Sequence, residues 1–241
     1  MGLDALFFGA HPDDVELTSG GLAALLASLG HTVVIADLTR GERASRGTPE
    51  ERAREAANAA KALGVARRVS LGLPDLGLDR SNAAQLASVV GLLRAERPRL
   101  VVAPDRDDPH PDHVEGAHLV TRACYVSGLA RFDAPGERHR PERLLYALYR
   151  GSRRAHLVVD VSPVWERRVA ALEAHVSQLD PARGPSTYLT HPDFLAEVEG
   201  RARAWGASIG ARFGEAYRVR GPVAIADARA LLGAAPAKVA R

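Results

Sequence analysis

The apolar residues of the chain form short uninterrupted runs, separated by longer stretches with helical periodicity. The runs Ala5 to Gly9, Thr32 to Leu38 and Leu100 to Ala103 show no alternation of apolar and polar positions. Such runs are typical of parallel strands that are covered on both faces of the sheet. The pattern therefore predicts an α/β protein in which strands and helices alternate along the chain.

Helical segments lie between the predicted strands. A leucine-rich face predicts a helix from Gly20 to Leu29, and a Thr48-Pro49 cap predicts another that runs to Leu63. The remaining predicted elements are a strand at Val69 to Leu71, a helix capped by Ser81 that runs to Leu93, a helix from Asp112 to Val126, strands at Leu144 to Tyr149 and Leu157 to Val161, and helices from Pro163 to Leu179 and Pro192 to Ser208.

Neither an internal repeat nor a low-complexity linker divides the chain, so we expect residues 1–241 to form one domain. We expect the last dozen residues, which are rich in Ala and Gly, to form a loose tail. With 241 residues, of which 46% are hydrophobic, the chain can bury a core without disulfides or a structural metal. Any metal is therefore expected to serve function.

Charge and composition narrow the range of partners. The 32 basic and 29 acidic residues leave a formal net charge of +3, and aromatic residues make up 5%. This balance, without basic runs interleaved with aromatic residues, argues against a nucleic-acid partner. The apolar stretches are far shorter than a membrane span requires, and the N-terminus has an acid where a secretory signal is basic. We therefore expect no membrane partner and a cytoplasmic location.

The single cysteine, Cys124, lies in an apolar helical context and cannot form an internal disulfide. This agrees with a reducing compartment and excludes a cysteine-rich zinc site. We expect Cys124 to be a small core residue rather than a nucleophile.

His and Asp side chains cluster at the ends of two predicted strands. One cluster, His11-Pro12-Asp13-Asp14, follows Ala5 to Gly9, and the other, residues 105–113, follows Leu100 to Ala103. Either cluster alone is also typical of turns and helix caps. Ligands bind beyond the carboxyl ends of parallel strands, where the strand order reverses. If these two strands are neighbours, the two clusters face each other.

The residue types in the clusters suit a hydrolytic metal site. Zinc and similar divalent metals accept imidazole nitrogen and carboxylate oxygen, and a hydrolytic site needs three protein ligands and an open position for water. Of the adjacent carboxylates of Asp13 and Asp14, one can bind the metal and the other can act as general base. Spacing alone does not choose between His110 and His113 as a ligand, since residues three apart share one helical face.

The two motifs, Ala-His-Pro-Asp-Asp-Val-Glu at residues 10–16 and His-Pro-Asp-His at residues 110–113, resemble the LmbE-like (PIG-L) zinc-dependent N-deacetylases. Within that family, the segments at residues 37–42, 46–52 and 172–178 are most similar to the bacillithiol-pathway deacetylases, which act on N-acetylglucosaminyl-malate. The likeness extends to about Asp227. It implies a Rossmann-like, mostly parallel sheet flanked by helices, with a metal site at the carboxyl edge of the strands.

The resemblance also assigns the metal ligands. It implies one zinc ion per chain, with other divalent metals as alternatives, held by His11, Asp14 and His113. Asp13 matches the general base of the family. The implied partner is a small N-acetylated amino sugar, and the family also includes homo-oligomers, although no pattern here indicates an interface.

Further roles follow from the same resemblance. His110 matches the residue that stabilises the oxyanion, with Asp112 as its orienting partner, and we expect nearby carboxylates to favour a protonated His110. Arg52 matches a residue that contacts sugar hydroxyls, although an ion pair within its own helix is an equally good interpretation of the sequence. Four residues of the loop after the second strand are expected to bind a carboxylate of the substrate such as that of malate, to which arginine offers two parallel donors: Thr39, Arg40, Ser45 and Arg46.

These observations predict a zinc-dependent hydrolase that removes the N-acetyl group from an N-acetylglucosamine conjugate. The alternatives are a deacetylase of another such compound, for example a diacetylated disaccharide, a non-catalytic sugar-binding relative, or an esterase with the same metal site.

Overall fold

The computed structural model describes residues 2–149 and 154–223. In this part of the chain, seven strands form one sheet in the order β3-β2-β1-β4-β5-β7-β6. The strands are β1 (Ala5–Gly9), β2 (Val33–Thr39), β3 (Arg67–Leu73), β4 (Leu100–Pro104), β5 (Arg143–Ala147), β6 (Leu157–Asp160) and β7 (Gly214–Val219). Strands β3, β2, β1, β4 and β5 are parallel, and β7 runs antiparallel to both β5 and β6. The predicted α/β fold with a mostly parallel sheet is confirmed.

Eight helices accompany the strands within the described residues. They are α1 (Asp14–Thr18), α2 (Gly20–Ser28), α3 (Pro49–Leu63), α4 (Ala83–Glu96), α5 (Pro111–Val126), α6 (Trp165–Glu173), α7 (Val176–Leu179) and α8 (Phe194–Ala207). Single 3₁₀ turns lie at Ser162–Val164, Pro181–Arg183 and Tyr188–Thr190.

The helices cover both faces of the sheet. Buried side chains of α1, α2, α3, α6 and α8 pack against one face, and those of α4 and α5 pack against the other. Coverage on both faces is the physical reason for the uninterrupted apolar runs of the central strands. Cys124 belongs to the second cluster, and burial raises the pKa of its thiol to about 12, so it is a core residue as predicted.

The strand order reverses between β1 and β4, which lie side by side with Phe7 opposite Val102. The loops that leave the carboxyl ends of these two strands therefore start next to each other. This is the arrangement that brings the two His/Asp clusters together.

The structure departs from the predicted elements at several points. The α4 helix is capped by Asn82, whose Oδ1 accepts the N–H groups of Ala84 and Gln85, whereas Ser81 donates its hydroxyl to Asp79. The helix predicted from Pro163 to Leu179 is interrupted at His175, where the backbone leaves the helical region. Strand β7 was not predicted, and the predicted tail lies outside the described residues.

Both of the larger differences have long-range causes. The N–H and hydroxyl of Ser177 bind the buried Glu55 carboxylate of α3, which fixes the start of α7 in a new direction. In β7, the buried Glu215 accepts the N–H groups of Gly21 and Leu22 at the start of α2. A buried acid in a strand removes the apolar pattern by which a strand is recognised. Among the described helices, none combines the length and the apolar character that crossing a membrane requires.

Candidate active site

Three loops at the carboxyl edge of the sheet supply the histidines and carboxylates of the site. The loop after β1 carries His11, Asp13 and Asp14, the loop after β3 carries Asp75, and the loop after β4 leads into α5, whose cap is His110. They line a cavity of about 520 Å³. These loops lie at the same edge because β3, β2, β1 and β4 are parallel neighbours, so their carboxyl ends point in the same direction.

The imidazole of His11 is held between carboxylates on both of its nitrogens. Its Nε2 lies 3.2 Å from Oδ1 of Asp75 and 3.3 Å from Oδ2 of Asp112. Its Nδ1 lies 3.5 Å from Oδ2 of Asp14. Asp75 and Asp112 also accept backbone N–H groups, which fixes their orientation. They therefore favour the tautomer of His11 that is protonated on Nε2, which leaves the Nδ1 lone pair facing Asp14.

His113 shows the same arrangement from the other side. Its Nδ1 lies 2.9 Å from Oδ1 of Asp108, and its Nε2 lies 3.1 Å from Oδ1 of Asp14. Asp108 also accepts the N–H of His110, at 2.9 Å. Asp14 thus lies between two rings, each of which presents to it the nitrogen that is not bound to an outer carboxylate.

The electrostatics of this cluster favour positive charge. Burial acts to lower the pKa of His11, but its contacts with Asp112, Asp14 and Asp75 outweigh burial and raise that pKa to about 12. Against the same opposing effect of burial, Asp14 and Asp108 raise the pKa of His113 to about 10. Although burial opposes it, the facing His113 and His11 hold the pKa of Asp14 well below its usual range. A group of two imidazoles inside a shell of carboxylates is a donor set that fits a divalent cation.

Two other sets of donors come close together. The ligand atoms of His11, His110 and His113 lie within 4.8 Å of one another, and so do those of His11, Asp75 and Asp112. Asp75 and Asp112 contact the outer nitrogen of His11 and are already bound to backbone N–H groups. Their position is that of carboxylates that orient a ligating histidine.

His110 is oriented by a different group from the one predicted. Its Nδ1 accepts the backbone N–H of Asp112 at 3.2 Å, as the cap of α5, while the Asp112 carboxylate contacts His11 and the N–H of Leu76. Burial, together with the positive charges of His113 and His11, lowers the pKa of His110. The expected protonated His110 is therefore not favoured. The capping bond leaves a neutral ring with its proton on Nε2, which is a hydrogen-bond donor.

Asp13 occupies a strained and buried position beside Asp14. Its φ is 133°, a region that residues other than glycine rarely adopt. Burial is the main cause that raises the pKa of its carboxyl group, opposed by the charge of Arg52. A buried carboxylate with a raised pKa next to two imidazoles has the properties of a general base.

Arg52 is directed at this base rather than at the open cavity or at a glutamate of its own helix. Its Nη2 donates to Oδ2 of Asp13 at 3.2 Å and to the carbonyl of Pro12 at 2.7 Å, and its Nη1 donates to the carbonyl of Gly41. Gly41 has φ +64°, and a Cβ there would overlap Nη1 of Arg52. Glycine is therefore required for this approach.

Ser45 and Arg46, which the sequence predicts to bind the substrate, have different surroundings. Ser45 is exposed and lines the cavity. Arg46 is buried, and its guanidinium donates to the carbonyls of Ser177, Asp180 and Pro185. All three of its nitrogens are engaged by backbone, so the structure gives Arg46 a scaffolding position instead of the predicted contact with the substrate.

The sequence did not indicate Asp75 or Arg43. Asp75 follows β3 at the same sheet edge as the two motifs, and this position was the signal that could have identified it. Arg43 also lines the cavity, and its backbone N–H donates to Oδ2 of Asp75 at 2.8 Å.

Comparisons with known proteins agree with this geometry. Residues 6–124 match the family model described as PIG-L, GlcNAc-PI de-N-acetylase. The chain is 29% identical over 183 residues to a diacetylchitobiose deacetylase of Thermococcus kodakarensis, an alignment that covers 70% of this chain and 67% of the relative. It is 32% identical over 243 residues to a 1D-myo-inositol 2-acetamido-2-deoxy-alpha-D-glucopyranoside deacetylase of Mycobacterium sp. (strain KMS), with 77% and 78% covered.

Solved structures show the same fold. A conserved protein of Thermus thermophilus superposes with a TM-score of 0.84 at 35% identity, over 92% of this chain and 97% of the other. The N,N'-diacetylchitobiose deacetylase of Pyrococcus horikoshii superposes with a TM-score of 0.79 at 22% identity, over 91% and 84%.

Proposed function

Because the chain belongs to the PIG-L family, and is therefore a hydrolytic deacetylase of the N-acetylglucosamine type, we propose that it removes the acetyl group from N-acetylglucosaminyl-malate with a zinc ion as cofactor. The observation that carries the proposal is the pair of imidazoles that present their inner nitrogens to Asp14 while carboxylates bind their outer nitrogens. The proposed ligands are His11, Asp14 and His113.

The donor set fits a divalent metal, because two neutral imidazoles and one carboxylate are common zinc ligands and further carboxylates orient both rings. When bound, such an ion would lower the pKa of water and polarise the acetyl carbonyl. The remaining steps are assigned to side chains of this chain.

Asp13 takes the proton from the attacking water, since its carboxyl group has a raised pKa and lies beside Asp14. Arg52 positions Asp13 through the contact at 3.2 Å. The neutral His110 donates from Nε2 to the oxygen of the tetrahedral intermediate. When the C–N bond breaks, the proton held by Asp13 passes to the leaving amine, and acetate and the free amino sugar are released.

The test compares acetate release from N-acetylglucosaminyl-malate, free N-acetylglucosamine and a diacetylated disaccharide, with metal content measured on the same protein. We expect about one zinc per chain and the highest kcat/KM on the malate conjugate. Turnover of the disaccharide in preference would support a deacetylase of another N-acetylglucosamine compound. Binding of sugar by metal-loaded protein without any acetate release would favour a non-catalytic relative.

We expect Asp13→Asn to retain its metal but to lose acetate release on the order of 10²- to 10⁴-fold, the usual contribution of a general base. The exposed Asp133→Asn serves as the matched control and should keep full activity. If Asp13→Asn remains fully active, the assignment of the base is wrong. The cytoplasmic location, the single domain and a homo-oligomer stay predictions.

A further inference from the structure

We propose that Arg43 determines the specificity of this chain by binding a carboxylate on the group attached to the amino sugar. The inference rests on the proposed deacetylase function and concerns which conjugates the site prefers. It would separate this chain from the relatives named for a chitobiose or an inositol glycoside, which carry no charged group there.

The Arg43 side chain is exposed and lines the active-site cavity. Within the described residues its backbone N–H binds Asp75, whereas its guanidinium takes part in no hydrogen bond, ion pair or ring contact. The acids beside it are engaged elsewhere. Asp75 binds His11 and the Arg43 N–H, while Glu42 accepts the N–H groups of Asp75 and Arg40.

The other arginines of this region are not available to a ligand in the cavity. Arg52 is buried against Asp13, and Arg46 is bound to three backbone carbonyls. Arg40 lines a separate cleft beside α3. Among the described residues that line the cavity, Arg43 is thus the arginine whose guanidinium is free to bind an anion.

The position of Arg43 relative to the reacting groups is fixed by two short links. Its N–H donates to Oδ2 of Asp75 at 2.8 Å, and Oδ1 of the same carboxylate lies 3.2 Å from Nε2 of His11. The side chain of Asp75 therefore links the backbone of Arg43 to His11, a proposed metal ligand. Arg43 lines the same cavity as His11, Asp14 and His113. We therefore infer that a substituent on the sugar reaches the Arg43 side chain when the acetyl group lies at these three residues.

The surroundings favour a carboxylate over a phosphate. The cavity already contains the carboxylates of Asp13, Asp14, Asp75 and Asp108, and a doubly charged phosphate would be repelled by them more strongly than a singly charged group. Because a guanidinium pairs in a bidentate manner with either anion, the negative charge of the cavity decides between them. Leu76 lines the same cavity and adds apolar surface to its wall.

The experiment uses two matched probes, the carboxymethyl glycoside of N-acetylglucosamine and the uncharged carboxamidomethyl glycoside. Both are assayed by acetate release from the zinc-loaded full-length protein. We expect the wild type to prefer the carboxylate by a ratio of kcat/KM on the order of tenfold or more, as for a charge-assisted pair. In Arg43→Gln the preference should disappear because KM for the charged probe rises. The kcat for that probe and the kcat/KM for the uncharged probe should stay at their wild-type values.

Two further variants sharpen the test. Arg40→Gln removes the same charge from the same loop but outside the cavity, and it should keep the preference. Arg43→Lys should keep part of it, since an ammonium retains the charge without the planar pair of donors. A glycoside that carries a phosphate monoester in place of the carboxylate, if turned over better than the carboxylate, would overturn the choice of anion.

The proposal is also overturned if Arg43→Gln keeps the wild-type ratio, or if Arg40→Gln loses it equally, which would indicate a general effect of charge. Failure of the underlying function looks different. In that case the metal-loaded wild type releases acetate from neither probe.

Discussion

The carboxylate of Asp112 contacts groups from two different loops, Nε2 of His11 and the N–H of Leu76. Because it binds the outer nitrogen of a proposed metal ligand, we expect Asp112→Asn to weaken metal binding about 10- to 100-fold. Titration of the metal-free protein with zinc in a competing chelator measures this affinity. The Asp133→Asn variant is again the matched control.

The alternative role of Asp112 makes a different prediction. If its carboxylate oriented His110, the variant would lose kcat at saturating zinc while its zinc affinity stayed at the wild-type value. That result would contradict the role derived from the contacts with His11.

At the scale of single residues, the sequence motifs identified groups that the fold brings together, but not the partners that orient them. The spacing in His11-Pro12-Asp13-Asp14 and His110-Pro111-Asp112-His113 is a local property, and these residues do meet at the edge of the sheet. Which nitrogen of each ring faces Asp14 is decided by Asp75 and Asp108. Asp75 comes from a separate loop, so no local pattern indicates its contact with His11.

At the scale of elements, Arg46 joins the loop after β2 to α7 and to the segment that follows it. Its three carbonyl partners, in Ser177, Asp180 and Pro185, would lose their donors in Arg46→Met. A buried group left without a partner costs about 1–3 kcal/mol. Because two of the three hydrogen bonds are only part-buried, we expect the free energy of unfolding to fall by about 2–5 kcal/mol rather than by three times the full cost. Urea denaturation followed by circular dichroism measures it.

The control for this prediction is Arg183→Met in the same region. The Arg183 side chain is 50% exposed and pairs with Glu51, so its loss should cost less than about 1 kcal/mol. Equal stability of Arg46→Met and wild type would show that the buried hydrogen bonds of Arg46 do not hold this segment.

An element could be predicted where its burial leaves a pattern in the local sequence, and could not be predicted where it depends on contacts with distant residues. Strands β1, β2 and β4 are recognisable because burial on both faces imposes a continuous apolar run. The break before α7 and the strand β7 depend on Glu55 and Glu215, which bind backbone N–H groups 122 and 194 positions away. Such contacts leave no periodic trace in the local sequence.

At the scale of the whole molecule, the proposed metal ligands all lie at one edge of the sheet, while the two apolar clusters fill both of its faces. We therefore expect removal of the metal by a chelator to abolish acetate release and to leave the far-ultraviolet circular dichroism and cooperative unfolding intact. Loss of a bound ion lowers the stability by about 4 kcal/mol when its free concentration exceeds Kd a thousandfold.

Zinc added back to the chelated protein should restore the activity without a refolding step. Collapse of the secondary structure upon chelation would contradict this prediction and would make the metal part of the fold. The outcome also tests the expectation, drawn from the length and apolar content of the chain, that the core is sufficient without a metal.

The loops after β2 and β3 are tied to each other in both directions. The N–H of Arg43 binds the Asp75 carboxylate, and the N–H of Asp75 binds the Glu42 carboxylate. A foreign loop grafted after β2 to change the substrate would displace this backbone N–H, and with it a hydrogen bond that holds the Asp75 carboxylate against His11, wherever the new backbone follows a different path. The two loops therefore have to be exchanged as a pair. A change in the loop that binds the substrate otherwise also changes the orientation of His11.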